Sequence, residues 1–167
     1  RINNYKINGY ENSVGTQTHI WFNGANQGLK KRVNIPEKVI VFIPPEILKR
    51  KGNSIHTRIE KRLNLNRNNY KCISIEKMLE YEKTTDALRL TTGTNGICWA
   101  LENFDNVTIH GFDFFKDSKN HYFDSKLMNF AIDIGIIKKG DKHDIEQEIK
   151  FVNSLLDQCK IKKLMDE

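Results

Sequence analysis

Residues 38–43, KVIVFI, constrain the fold more than any other stretch of this chain. The run is apolar without alternation and rich in β-branched side chains. That is the pattern of a short strand buried on both faces, which parallel sheets provide. Pro44-Pro45 closes it, because proline lacks a ladder N–H and its fixed φ suits the first turn of a helix. A strand covered on both faces needs helices on both sides, so the chain must be α/β.

The remaining segments supply those partners. Residues 1–4 read as the end of a strand, and residues 17–22, 71–75 and 106–109 as further strands. Asn8-Gly9 and Val14-Gly15 are turn signals, and the polar residues 23–34 a loop. Helices are expected over 46–51, 54–63 and 76–82. Another is expected over 125–134, with Leu127, Phe130, Ala131 and Ile134 on one face. The last helix is the clearest, with Ile145, Ile149, Val152, Leu155, Leu156 and Cys159 at helical spacing and His143 or Asp144 at its start. The final IKKLMDE reads as a frayed tail. The alternation predicts one α/β domain with a Rossmann-like, mostly parallel sheet flanked by helices, and 38–43 and 106–109 as central strands. Ligands in such sheets bind at the carboxyl ends of the strands.

A length of 167 residues suits one such domain, and no stretch approaches a transmembrane span. The net charge of +6 favours an anionic partner: nucleic acid, a nucleotide or an acidic membrane surface. The plainer alternative is a solvated lysine-rich surface. The three cysteines, Cys72, Cys98 and Cys159, lack metal-ligand spacing, and their odd number points to a reducing compartment. No signal peptide is visible, and the opening Arg1-Ile2-Asn3 reads as starting part-way through a domain.

Residues 91–115 draw the chemistry together. Thr91-Thr92-Gly93-Thr94-Asn95-Gly96 reads as a small-residue loop, followed by a short helix, a turn at Asp105-Asn106 and a buried strand. Hydroxyl and glycine residues at a helix start leave backbone N–H groups aimed at whatever sits there, and the helix dipole favours an anion. The bland alternative is N-capping by Thr92 or Thr94.

Four stretches, in order, resemble the four sialylmotifs of the animal-type sialyltransferases, glycosyltransferase family 29. The second half of the large motif looks like Arg1-Ile2-Asn3, Gly9-Tyr10-Glu11, Val14-Gly15 and Thr18. The small motif looks like Thr91-Thr92-Gly93, Ala100-Leu101, Asp105-x-Val107 and Gly111-Phe112. The third looks like His121-Tyr122-Phe123-Asp124, and the very small motif, His-x4-Glu, like His143 to Glu148. The chain departs from the pattern at Leu90, where the family has Pro, at Phe104, where it has the bridging Cys, and at Ser13, where it has Asp. By the same comparison, the family's first strand and Gly-rich loop would precede residue 1, so residues 1–167 read as one transferase domain lacking that piece.

The resemblance implies a GT-A-like variant of the α/β fold and a CMP-activated acidic sugar, sialic acid or Kdo, transferred with inversion to an oligosaccharide or glycolipid hydroxyl. Such a transfer needs a base for the acceptor and stabilisation of the leaving phosphate. The motif match makes His143 the base, and His121 and Tyr122 donors to the phosphate. It gives Asn3, Thr91, Thr92, Gly93 and Thr94 to donor binding. Arg1 is expected to support the strand, and Glu148 to act as a structural partner at the first turns of its own helix. No Asp-x-Asp occurs in the sequence, so neither a divalent metal nor another cofactor is expected. No nucleic-acid partner is expected, because aromatic and basic residues are not interleaved. The missing bridging cysteine suits a cytoplasmic home, with peripheral contact to a membrane surface as a further expectation. Two alternatives stay open: a CMP-sugar-binding domain without transfer activity, and a basic module that binds nucleic acid.

Overall fold

The computed structural model describes residues 1–112 and 144–164. The apolar run forms β2 (Lys38–Val41), the middle strand between β1 (Ile20–Asn23) and β3 (Lys71–Cys72), and both pairings are parallel. Ile20 lies opposite Lys38 and Asn23 opposite Val41, while Ile40 lies opposite Lys71. Ile2 forms a parallel bridge to Phe22, with the Asn3 N–H donating to Phe22 O and the Phe22 N–H to Arg1 O, both at 2.8 Å. The first residues therefore extend the sheet beyond β1.

Successive side chains of β2 point to opposite faces, and both faces are covered. Val39 and Val41 pack with Tyr5, Trp21 and the Ile55, Ile59 and Leu63 side chains of α3 (Ile55–Leu63). Ile40 and Phe42 pack with Met78 and Tyr81 of α4 (Ile75–Thr85) and Cys98 and Trp99 of α5 (Thr92–Asn103). Local chemistry sets the helix ends. Pro45 opens α2 (Pro45–Lys51), and the Ser74 hydroxyl accepts the Lys77 N–H at the start of α4. Asn64, at φ 57°, ends α3 in the left-handed conformation that asparagine tolerates. A single turn, α1 (Glu11–Val14), lies in the first crossover.

Three expectations need correction. Residues 106–109 do not form a central strand: β4 (Thr108–Ile109) pairs in parallel with β5 (Lys162–Lys163) in a separate two-stranded ladder. Only Ile109 of that stretch is buried, which is too little apolar surface for a strand covered on both faces. The tail is not frayed through residue 164 either. Ile161 packs with Ile97, Ile109, Val152 and Leu155, and the Lys162 and Leu164 N–H groups donate to Val107 O and Ile109 O, each at 2.9 Å. The last helix, α6 (Ile145–Asp157), is capped by Asp144, whose side chain accepts from the Gln147 N–H. It stops before Cys159, which is exposed at φ 55° instead of continuing the apolar stripe. The helix expected over 125–134 lies outside the described residues. Short parallel strands flanked by helices make the α/β, Rossmann-like and GT-A-like arrangement that the sequence led one to expect.

Candidate functional site

The site starts from the amino end of α5. Thr91, not Thr92 or Thr94, is the N-cap: its backbone is extended and its hydroxyl accepts the Thr94 N–H at 3.2 Å. Residues 92–96 are thus the first turns of the helix and not a loop. The Asn95 amide donates to Leu90 O at 3.1 Å and Thr91 O at 3.0 Å, tying the incoming chain to the helix. Glycine is required at 93 by close approach, since a Cβ there would lie 2.8 Å from Cε1 of Phe112.

The carboxylate of Glu148 sits on this helix start. It accepts the Thr91 N–H at 3.0 and 3.1 Å, the Thr91 hydroxyl at 2.6 Å, and the Thr94 hydroxyl. Glu148 is 0% exposed, as is Thr94. Three donors at the start of a helix satisfy the oxygens of a carboxyl group that has no water beside it. Helix α6 delivers it there because Glu148, Val152 and Leu155 share one face at i, i+4 and i+7. Val152 and Leu155 pack on Ile97 of α5 and on Ile109. Glu148, in the first turns of α6, thus ties that helix to the start of α5.

That clamp commits the hydroxyls of Thr91 and Thr94. Among the described residues, the backbone N–H groups of Thr92 and Gly93 have no hydrogen-bond partner, and both residues are half-buried. Among the described residues, Asn3 is linked to α5 only through Phe22. Its backbone N–H donates to Phe22 O, while a Cβ on Gly96 would lie 3.4 Å from the Phe22 ring. Asn3 holds φ at 47°, its carbonyl accepts the Trp21 indole N–H at 2.8 Å, and its Oδ1 is buried without a partner among the described residues. Arg1 donates to Gly15 O at 3.2 Å and Gln17 O at 3.4 Å, so it braces the first crossover. His121, Tyr122 and His143 lie outside the described residues.

A cavity of about 440 Å³ lies beyond the carboxyl end of β3 between α4 and α5. Its polar wall is Glu102, which accepts from Lys77 Nζ at 3.0 Å and from the Tyr81 hydroxyl at 2.7 Å. Burial and Glu102 push the Tyr81 phenol well above its ordinary range. Nothing in the sequence marked this cluster, because its members are joined only through the tertiary fold.

The thiols are free. Burial pushes Cys98 up to about 12 and Cys72 up to about 11, so neither is a thiolate at neutral pH. Phe104, at the bridging-cysteine position of the motif, packs edge-on against Trp99 at 6.0 Å. Among the described residues, no three His, Cys, Asp or Glu side chains converge as metal ligands. Also among them, no helix is long and apolar enough to cross a membrane.

Two segments distant in sequence, the start of α5 and the first turns of α6, thus meet at one buried carboxylate. Both fall inside residues 32–160, which match the model of glycosyltransferase family 29 (sialyltransferase). The chain belongs to that family. The match leaves out residues 1–31, where Asn3 lies. No curated protein and no solved structure matches the chain significantly.

Proposed function

We propose that this glycosyltransferase moves sialic acid, or a related acidic sugar such as Kdo, from its CMP-activated form to a glycan hydroxyl, with inversion and without a metal. The observation that carries the reading is the α5 start, where Thr92 and Gly93 keep N–H groups without a partner among the described residues while Glu148 fixes the turn around them. Two parallel amides at a helix N-terminus suit the phosphate or carboxylate of the donor. In this reading Thr91 and Thr94 act mainly by holding those amides in place, and the Asn3 amide meets the nucleotide.

His143 is the proposed general base. The assignment rests on the match of His143 to Glu148 with the family's His-x4-Glu motif, in which His143 directly precedes Asp144 in sequence. Its unperturbed pKa near neutrality suits proton removal from the acceptor hydroxyl. His121 and Tyr122 are the proposed donors to the departing phosphate, where charge develops during transfer. Metal independence rests on the absence of Asp-x-Asp from the sequence.

Thermal unfolding with nucleotides tests the donor assignment, because a ligand that binds only the native state raises Tm. CMP is expected to raise Tm more than UMP or AMP, equally with Mg²⁺ or EDTA. No shift at millimolar CMP would overturn the donor assignment, and a shift seen only with Mg²⁺ would overturn metal independence.

A further inference from the structure

The cavity between α4 and α5 is firmly built, yet some of its polar groups are unmet. It lies beyond the carboxyl end of a parallel strand, where α/β sheets bind their ligands, and about 440 Å³ is the size of a small-molecule pocket. Tertiary bonds fix its wall. Glu102 joins Lys77 and Tyr81 of α4 to the end of α5, and Trp99 packs edge-to-face with Phe22 at 5.4 Å and with Phe104 at 6.0 Å.

The groups left unmet define the occupant. Trp99 lines the cavity at 8% exposure, and its indole N–H, which can only donate, has no partner among the described residues. The Asn103 amide donates to Trp99 O at 2.7 Å, so its Oδ1 remains an open acceptor in the same wall. Each Glu102 oxygen accepts one bond and has room for a second. Charge, by contrast, is balanced. Lys77 is paired with Glu80 at 2.6 Å and with Glu102 at 3.0 Å, so with Lys71 two cations meet two carboxylates. Neither a polyanion nor a cation is favoured by such a wall. It suits a neutral ligand that offers donors and acceptors close together beside an apolar patch. Sugar hydroxyls both donate and accept, and the ring C–H groups supply the patch. A flat base would need an open aromatic face to stack on, and at 8% exposure Trp99 offers no whole face.

We propose that this cavity binds a neutral pyranose unit of the acceptor glycan, with the Trp99 N–H donating to a sugar oxygen and Asn103 Oδ1 and Glu102 accepting from its hydroxyls. The ligand class follows from the wall itself, whereas its belonging to the acceptor rests on the transferase reading. Trp99 and Glu102 follow Thr91 by eight and eleven residues, about 12–16 Å along α5. The unit held here is therefore remote from the hydroxyl that reacts.

Saturation-transfer NMR of the full chain with galactose, lactose and maltose tests this, with galacturonate and cytidine as competitors. At least one neutral sugar is expected to bind at millimolar concentration, and neither competitor is expected to displace it. Asn103→Ala and Trp99→Phe, which keeps the ring without the N–H, should each weaken that sugar about five-fold, the equivalent of one neutral hydrogen bond. Asn103 is exposed, so its variant keeps the test intact if Trp99→Phe disturbs packing. The Tm shift with CMP should be unchanged in Asn103→Ala. Failure of all three sugars to bind, displacement by galacturonate or cytidine, or parental sugar affinity in both variants would overturn the inference. Sugar binding as expected in a chain whose Tm ignores CMP would instead overturn the donor assignment and leave the sugar site standing.

Discussion

Removing the Glu148 carboxylate is the sharpest perturbation of this fold. The group accepts from one backbone N–H and two hydroxyls, all from the start of α5, and is wholly buried. Hydrogen bonds to a charged acceptor contribute about 1.5–3 kcal/mol each, so three give a gross figure on the order of 6 kcal/mol. Part of that offsets the cost of burying the charge, several kcal/mol, which disappears with the carboxylate. In Glu148→Ala the Thr91 and Thr94 hydroxyls, 3.2 Å apart, can still bond each other, but the Thr91 N–H loses its acceptor and a void opens under Val152. The expected net loss is about 3 kcal/mol, or a fall in Tm of about 6–12 °C for a domain of this size. Glu148→Gln keeps one acceptor oxygen and the shape, and should cost about 1–2 kcal/mol. Urea unfolding of both variants measures this. A cycle pairing Glu148→Gln with Thr94→Val should show coupling of about 1 kcal/mol, since the two share one bond. A Glu148→Ala protein within about 0.5 kcal/mol of the parent, or an additive cycle, would refute the clamp.

Gly93→Ala should cost about 1–3 kcal/mol in urea unfolding, because its Cβ meets the Phe112 ring at 2.8 Å; in a Phe112→Ala background the same substitution should cost much less. Cysteine chemistry should follow burial: alkylation near pH 8 is expected at exposed Cys159 first, with Cys98 slow until the protein unfolds. Cys98 holds its proton up to about 12 in the fold, whereas an unfolded thiol loses it near 9. Unfolding therefore releases a proton between those values, and stability is intact below about pH 9 and falls above it, by at most about 1.4 kcal/mol per pH unit for this group. Cys98→Ala should flatten that fall, and an unchanged alkaline limb in that variant would refute the assignment.

The sheet was legible because residues 38–43 have a single good physical solution. An unbroken β-branched run closed by two prolines leaves little but a central parallel strand, and the helices around it follow from their apolar spacing. The run at 106–109 misled because its three β-branched residues, Val107, Thr108 and Ile109, look alike whether they enter a main sheet or a side ladder. Its partner, Lys162–Lys163, carries no strand signal beyond the buried Ile161 that precedes it. At the site, the threonine-glycine stretch was visible, but its occupant was not. A glutamate on an otherwise apolar helix face is a weak mark from sequence, and only the packing of Val152 and Leu155 on α5 and Ile109 brings it to Thr91. The Lys77–Glu102–Tyr81 cluster left no mark at all, because its members meet across separate helices.

The central claim is transfer from a CMP-sugar by a histidine base, and turnover reads it directly. Release of CMP from CMP-sialic acid would be followed with a panel of galactoside acceptors in EDTA, for the parent and for His143→Ala and His121→Ala, with CMP affinity measured in each. The account predicts turnover without metal. It predicts a loss of about 10²–10⁴ in rate for His143→Ala with CMP affinity within a few-fold, and loss of both rate and affinity for His121→Ala. Near-parental turnover by His143→Ala, or CMP binding without turnover of CMP-sialic acid or CMP-Kdo on any acceptor, would contradict it.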